Sequence, residues 1–111
     1  MKEALFHPKA LKAIREFPAE ARQALGKAIR DLQRGISLKM PLSRPMPSVE
    51  MGVAEIRVSD SIGIYRTFYY TKSAAGILIC HAFVKKTQAT PEREIALARI
   101  RLKEMLNEKN H

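Results

Sequence analysis

The spacing of hydrophobic residues in the first third of the chain predicts two helices separated by a proline. Leu11 and Ile14 follow Pro8 at helical spacing, and Pro8 can occupy a first helical turn. The pattern breaks at Phe17–Pro18, because the residue before a proline avoids the helical region. A second apolar stripe then repeats with the period of a helix, and it comprises Ala21, Leu25, Ala28, Ile29 and Leu32. Gly35 is placed to cap this helix, so two antiparallel helices with a tight connection are predicted.

After a proline-rich stretch over residues 36–52, the period of the hydrophobic pattern changes to that of β-strands. The density of proline in that stretch excludes a long helix or a central strand. Three strands are predicted beyond it, with turns between them, over Val53–Val58, Ile64–Tyr70 and Ile77–Phe83. The third is apolar on both faces, which is typical of a central or well-covered strand. Short connections make the three an antiparallel meander.

The last part of the chain has the signals of a helix N-terminus followed by an amphipathic stripe. Thr90 suits an N-cap, Pro91 suits the first helical position, and Glu94 complements the positive end of the helix dipole. The stripe comprises Ile95, Ala98, Leu102 and Met105. We therefore predict one α+β domain over residues 1–111, with an N-terminal helical hairpin and a C-terminal helix packed on one face of a small antiparallel β-sheet. The other face is expected to be open, with Glu55 and Arg57 pointing to it.

Composition and charge narrow the class of partner. The 111 residues are enough for one core, 46% are apolar, and 20 Lys and Arg against 11 Asp and Glu give a net charge of +9. A surface of this kind attracts nucleic acid, an acidic membrane surface or an acidic protein. No apolar run approaches the ~20 residues that span a bilayer, and the first residues show no signal-peptide core. The lone Cys80 cannot form an internal disulfide, so we expect a cytoplasmic protein with no membrane partner.

The strand region carries cations and few acids. Between Val53 and Lys86 the acidic residues are Glu55 and Asp60 alone, and no phosphate loop, HExxH motif or cysteine pair is present. The sequence therefore disfavours a carboxylate metal cage and a two-metal nuclease, and we expect neither metal nor cofactor. The cations of this region stand on or directly after the strands, at Arg57, Arg66, Lys85 and Lys86.

Such groups can cleave RNA without a metal. A 2′-hydroxyl attacks the adjacent phosphorus, arginine holds the phosphate by paired hydrogen bonds, and a lysine among other cations has a depressed pKa that suits a base. The pKa of His81 also suits acid–base work, and Tyr65 offers a ring for base stacking. Structural interpretations stay open for the same residues. Arg57 and Arg66 can be solvated or can pair with Glu55 across the sheet, the lysines can be an exposed strand end, and His81 and the aromatic residues can be core.

The order of short segments along the chain resembles the RelE/ParE toxin superfamily, within it the phage-derived HigB-like branch. The resemblance extends from Leu5 to Met105 and rests on Leu32–Gly35, Ser43–Met46, Glu55–Arg57, Tyr65–Tyr69, His81–Thr87, Thr90–Pro91 and a helix containing Glu94 and Ala98. It implies a RelE-like fold and the toxin of a type II toxin–antitoxin system, neutralised by an antitoxin that is often a helix-turn-helix protein. It further implies ribosome-dependent cleavage of mRNA with no metal or cofactor, which inhibits translation.

The resemblance also implies roles for individual residues. Arg57 and Arg66 match the arginines of the two strand motifs, Lys85 and Lys86 match the lysines after the third strand, and Arg44 takes a basic place before the first. The C-terminal tyrosine or histidine that serves some RelE-type enzymes has no counterpart here, so either His81 or Lys85 would have to substitute for it or the leaving group departs with less help. The predicted catalytic residues are Arg66, Arg57, Lys85 and His81, and the predicted RNA-binding residues are Lys86, Arg44, Tyr65 and Lys39.

Two other functions fit the same sequence. A ParE-like toxin would use this scaffold to inhibit gyrase and would leave mRNA intact. A catalytically inactive module would bind RNA or protein without inhibiting growth. Fold alone does not separate these functions from RNA cleavage.

Overall fold

A computed structural model describes residues 1–86 and 90–109 of the chain, so Thr87, in the last strand motif, lies outside the described residues. The helices are α1 (Pro8–Arg15), α2 (Ala19–Gln33) and α3 (Glu92–Lys109). The strands are β1 (Ala4–Phe6), β2 (Ser43–Pro45), β3 (Val53–Ser59), β4 (Ile64–Ser73) and β5 (Gly76–Lys85). Within the described ranges, none of the helices is long and apolar enough to cross a membrane.

The two N-terminal helices are confirmed, but their arrangement differs from a simple hairpin. The first begins at Pro8, where the Nδ1 atom of His7 accepts a hydrogen bond from the Lys9 backbone N–H at 3.1 Å. The second is followed by Gly35, whose φ of 85° is the left-handed conformation of a helix-ending glycine. Helix α1 lies over β5 and α2 lies over β3, so each helix packs on the sheet more than on the other.

The three predicted strands are confirmed as β3, β4 and β5, and two short strands extend them into a mixed sheet. The strand order is β1-β5-β4-β3-β2, in which β1 runs parallel to β5 and every other pair is antiparallel. The prediction of a purely antiparallel sheet was therefore wrong. Pro45 is tolerated in β2 because that strand lies at the edge, where a missing N–H breaks no ladder.

The helices cover both faces of the sheet, which corrects the prediction that all of them pack on one face. Helices α1 and α2 share a core with Tyr65 and Tyr69 of β4. Helix α3 shares a separate core with Phe68 of the same strand. Because neighbouring side chains of a strand alternate between faces, α3 lies on the face opposite α1 and α2.

Polar contacts fix α3 against the second face, although its first residue differs from the predicted one. The helix begins at Glu92, and the Thr90 hydroxyl has no hydrogen-bond partner among residues 1–86 and 90–109, so it does not act as the predicted cap there. The guanidinium of Arg99 donates to the backbone carbonyls of Ser48 and Val49. These contacts join the helix to the segment between β2 and β3.

Replacing Gly76 by alanine is expected to destabilise the fold. Gly76 has a φ of 140°, and a β-carbon there would collide with the Glu3 carbonyl, which accepts the Ile77 N–H at 2.8 Å where β1 joins β5. A residue forced into such a conformation costs about 1–3 kcal/mol before the collision is counted. Urea denaturation of the G76A protein measures the loss.

The matched control for that substitution is Gly26→Ala in α2. A β-carbon at Gly26 comes no closer than 3.6 Å to its nearest neighbour, the Arg30 Nη1 atom. Alanine is a better helix former than glycine, so G26A is expected to raise the free energy of unfolding by roughly 0.5–1 kcal/mol. A G76A protein as stable as the wild type would show that β1 does not pass this glycine closely.

Candidate functional site

The end of the second sheet face that α3 leaves uncovered carries a group of charged side chains. Arg57 of β3 lies directly opposite Arg66 of β4, Glu55 lies opposite Arg44 of β2, and Lys85 ends β5 on the same face. We call Arg44, Glu55, Arg57, Arg66 and Lys85 the cationic cluster. The cross-strand register places these residues together, because directly paired residues share a face and Lys85 pairs with Ile64, two positions from Arg66.

Glu55 lies at the centre of the cationic cluster and is fully buried. Its two carboxylate oxygens accept from the Nη1 atom of Arg66 at 2.7 and 2.6 Å, and Oε1 also accepts from Nε of Arg44 at 2.8 Å. The Arg66 side chain is 1% exposed and that of Arg44 is 40% exposed. The predicted alternative in which Arg66 pairs with Glu55 across the sheet is therefore confirmed.

The cationic cluster keeps an excess of positive charge despite this pairing. Four cationic side chains share one carboxylate, which leaves a net charge of +3 when Lys85 is protonated. Burial lowers the pKa of Lys85 below its ordinary value of 10.5, and the positive charges of Arg66, Arg57 and Arg44 lower it further against the opposing effect of Glu55. The cluster can thus bind an anion and contains an amine that gives up its proton more readily than a free lysine.

The Arg66 side chain is buried, unlike the other cations of the cationic cluster. Its guanidinium lies beneath the surface, and its Nε atom has no hydrogen-bond partner within the described part of the chain. Arg57, Arg44 and Lys85 are all partly exposed, so they are the cations that a ligand on this face can reach. The role of Arg66 in gripping a phosphate stays a prediction.

His81 lies on the same face but under α3, with both ring nitrogens engaged. Nη1 of Arg101 donates to Nδ1 at 2.6 Å, so Nε2 carries the proton and donates to Oε1 of Glu94 at 2.7 Å. The ring also packs against Phe68 and Phe83 at centroid distances of 5.9 and 5.4 Å. Burial lowers the pKa of His81, and Arg101 adds to that effect while Glu94 opposes it. His81 therefore joins α3 to β5 and is not open to a ligand.

Three residues predicted to bind RNA lie away from the cationic cluster or beside it. Tyr65 is buried on the opposite face, where its hydroxyl donates to the Asp60 carboxylate at 3.2 Å, so the structure does not bring it to the site. Lys39 is exposed in the segment before β2. Lys86 is exposed directly after β5 and lines a cavity of about 450 Å³ with Phe83 and Glu94 among its other walls.

Metal-binding side chains do not converge in the described part of the chain, where no group of three or more His, Cys, Asp or Glu residues could hold an ion. Comparison with protein families matches residues 12–103 to the family described as "Phage derived protein Gp49-like (DUF891)". The chain belongs to this phage-derived Gp49-like family. No curated protein matches the chain.

In this Gp49-like protein, sequence reasoning missed the partners of His81. Glu94 was assigned to the start of the last helix and Arg101 was given no role, because their distance from His81 in the chain gives no signal of contact. One signal was available for Arg101, since it stands close to the apolar stripe of α3 at Leu102. Arg101 faces His81 because α3 packs on the second face of the sheet, and the sequence pattern does not determine which face the helix covers.

Lowering the pH is expected to destabilise this Gp49-like protein through His81. The pKa of His81 is lowered in the folded state, so the unfolded chain binds its proton first as the pH falls below about 6.5. Stability attributable to the neutral ring is therefore present above that pH and is lost progressively below it. Urea denaturation at pH 7.5 and 5.5 measures the effect, and H81Q should show a smaller difference between the two. An equal difference in both proteins would contradict the assignment.

Proposed function

We propose that this protein is the toxin of a type II toxin–antitoxin pair and that it cleaves mRNA on the ribosome without a metal. The observation that carries the proposal is the cationic cluster, whose net positive charge includes three partly exposed side chains. Membership in a phage-derived family supports the proposal, as do the RelE-like order of the strand motifs and the α+β fold. The sequence pattern also resembles the HigB-like branch of the superfamily.

The exposed cations divide the chemistry between them. Arg57 and Arg44 would hold the scissile phosphate and stabilise its additional negative charge in the transition state. Lys85 would accept the proton of the 2′-hydroxyl as the O2′–P bond forms, and the P–O5′ bond would break with protonation of the leaving oxygen by solvent. The products are a 2′,3′-cyclic phosphate and a 5′-hydroxyl. Glu55 and Arg66 would keep the strand surface and Arg44 in position.

The antitoxin would neutralise the toxin by covering the cationic cluster. An acidic segment complements the cluster, and a helix-turn-helix protein that carries such a segment is the partner that the family pattern favours. An apolar segment packed against α3 would be a second means of neutralisation. Lys86 and Lys39 would extend the positive surface along the mRNA backbone.

Replacing Lys85 by arginine is expected to separate RNA binding from cleavage. Arginine keeps the positive charge but does not give up its proton in a protein, so K85R should bind RNA with an affinity close to that of the wild type. Its cleavage rate should fall by about 10²–10⁴, the contribution of a positioned base. K72R, at an exposed position on β4, is the control. A K85R protein that cleaves at the wild-type rate would remove Lys85 from the role of base.

Cell-free translation with purified protein tests the proposed function, with mRNA ends mapped by primer extension. We expect cuts within the translated frame when ribosomes are present and intact mRNA when they are absent. Intact mRNA in both reactions, from folded protein, would contradict the proposal. A supercoiling assay and an RNA-binding assay would then separate a gyrase inhibitor from an inactive binding module.

A further inference from the structure

A cleft lies beside the cationic cluster, at the edge of β3. Its volume is about 410 Å³, within the range of small-molecule sites. Four of its six lining residues are apolar, and the lining comprises Pro41, Leu42, Arg57, Val58, Ser59 and Ile64. Arg57 belongs both to the cleft and to the cationic cluster, so the two features are continuous.

The cleft exists because β2 is shorter than β3. Pairing between these strands ends at Ser43 and Ile56, so from Arg57 onward β3 has no strand partner on this side among residues 1–86 and 90–109. The Leu42 carbonyl accepts the Arg57 N–H at 2.8 Å and holds the segment before β2 against that edge. The walls are thus a fixed loop on one side and the ends of β3 and β4 on the other.

The chemistry of the cleft suits a flat, uncharged ring rather than a second phosphate. Among its six lining residues, Arg57 is the only one with a charged side chain, and its guanidinium can stack on a ring as well as bind a phosphate. Ser59 is exposed and offers a hydroxyl that both donates and accepts hydrogen bonds. The positive charge of the cationic cluster would hold the phosphate attached to such a ring.

We propose that this cleft binds the nucleobase of the nucleotide whose phosphate lies on the cationic cluster. The inference rests on the proposed function, because it takes RNA as the ligand of that cluster. The base would lie between the aliphatic side chains of Leu42 and Ile64, with the guanidinium of Arg57 at the junction of base and phosphate. The cleft would then determine which base stands beside the cut.

Methyl and amide NMR of the full-length protein tests the inference, with nucleoside 5′-monophosphates and ribose 5-phosphate as probes at low salt. Ribose 5-phosphate carries the sugar and the phosphate but no base. We expect both probes to shift the amide signals of Arg57 and Lys85. Only the nucleotides should shift the methyl signals of Leu42, Val58 and Ile64.

A substitution that fills the cleft provides the second measurement. S59F places a large ring in the cleft, and S61F places the same ring on the exposed turn outside it. We expect S59F to weaken nucleotide binding about tenfold, the effect of losing one stacked base, and to leave ribose 5-phosphate binding unchanged. S61F should bind both probes like the wild type.

The outcomes separate the cleft from the proposed function. If amide signals of the cationic cluster respond to both probes while the cleft methyl signals respond to neither, the inference is overturned and the phosphate site survives. If neither set of signals responds to either probe, the phosphate site and the cleft are both overturned. Equal binding of nucleotides by S59F and S61F would likewise overturn the inference.

Discussion

Replacing Arg66 by methionine is expected to lower the free energy of unfolding by about 3–5 kcal/mol. The substitution leaves the carboxylate of Glu55 buried with Arg44 as its remaining partner among the described residues, and the Arg44 side chain is 40% exposed. The partly exposed Arg44 compensates the buried Glu55 charge only in part, and removing one partner of a buried ion pair costs far more than the pair contributed. Urea denaturation of R66M measures the change.

A double variant and a matched control make this prediction specific. Replacing both partners, as in E55M with R66M, removes the buried charge and should recover most of the lost stability. R22M changes an exposed arginine on α2 and should unfold close to the wild type. If R66M unfolds like R22M, Arg66 and Glu55 do not form a buried pair.

The expected instability of R66M bears on how mutants of this site are interpreted. Loss of toxicity in an Arg66 variant would follow from unfolding alone, whether or not Arg66 touches RNA. Arg57 and Lys85 give cleaner tests, because both side chains are partly exposed, whereas Arg44 and Arg66 are the partners that the described residues provide for the buried Glu55 carboxylate.

Removing the charges of Arg57 and Lys85 together is expected to lower the rate of mRNA cleavage by about 10³ or more. Both side chains are partly exposed, so the free energy of unfolding should change by only about 1 kcal/mol. The reason is chemical: the double variant R57A with K85A loses a phosphate ligand and the proposed base. The cleavage rate in a translation reaction and the urea midpoint measure the two effects separately.

The control for this double variant removes the same charge elsewhere. Lys9 and Lys12 are exposed on α1, on the opposite side of the sheet, so K9A with K12A lowers the net charge equally. That protein should cleave mRNA near the wild-type rate. Equal loss of cleavage in the two double variants would show that bulk charge, rather than the cationic cluster, carries the activity.

The elements with a long periodic pattern were predictable from the sequence, and the short ones were not. Helix α2 presents an apolar stripe, β3 alternates between apolar and polar residues, and β4 and β5 are long runs of aromatic, β-branched or apolar residues. Strands β1 and β2 have three residues each, too few to show a period. They form because a neighbouring strand offers its edge, which is a tertiary effect.

The sequence also could not predict which face of the sheet α3 covers. An amphipathic stripe says that a helix packs on something apolar but not on which side of a sheet. Phe68, Leu78 and Cys80 make the second face apolar under α3, whereas Arg57 and Arg66 make it charged at the other end. Strand alternation in the sequence shows that both faces carry apolar and charged residues. Only the assembled sheet shows that these residues lie at different ends of a face.

The sequence identified most members of the cationic cluster but not how deeply each side chain is buried. Arg44, Arg57, Arg66 and Lys85 were all predicted site residues, and the structure brings them together around Glu55. Burial of Arg66 depends on the neighbouring strands, so residue type gave no indication of it. Residue type also gave no indication of where Tyr65 and His81 lie. Both were predicted at the site, but Tyr65 lies on the opposite face and His81 lies under α3.

The chemistry of the new RNA ends tests the proposed reaction most directly. The downstream fragment of mRNA cut in a translation reaction is ligated with and without prior kinase treatment. Ligation that requires the kinase identifies a 5′-hydroxyl end. Attack by a 2′-hydroxyl predicts a 5′-hydroxyl on that fragment and a 2′,3′-cyclic phosphate on the upstream one. A 5′-phosphate on the downstream fragment would show that water attacked instead, and would contradict the reaction proposed for the cationic cluster.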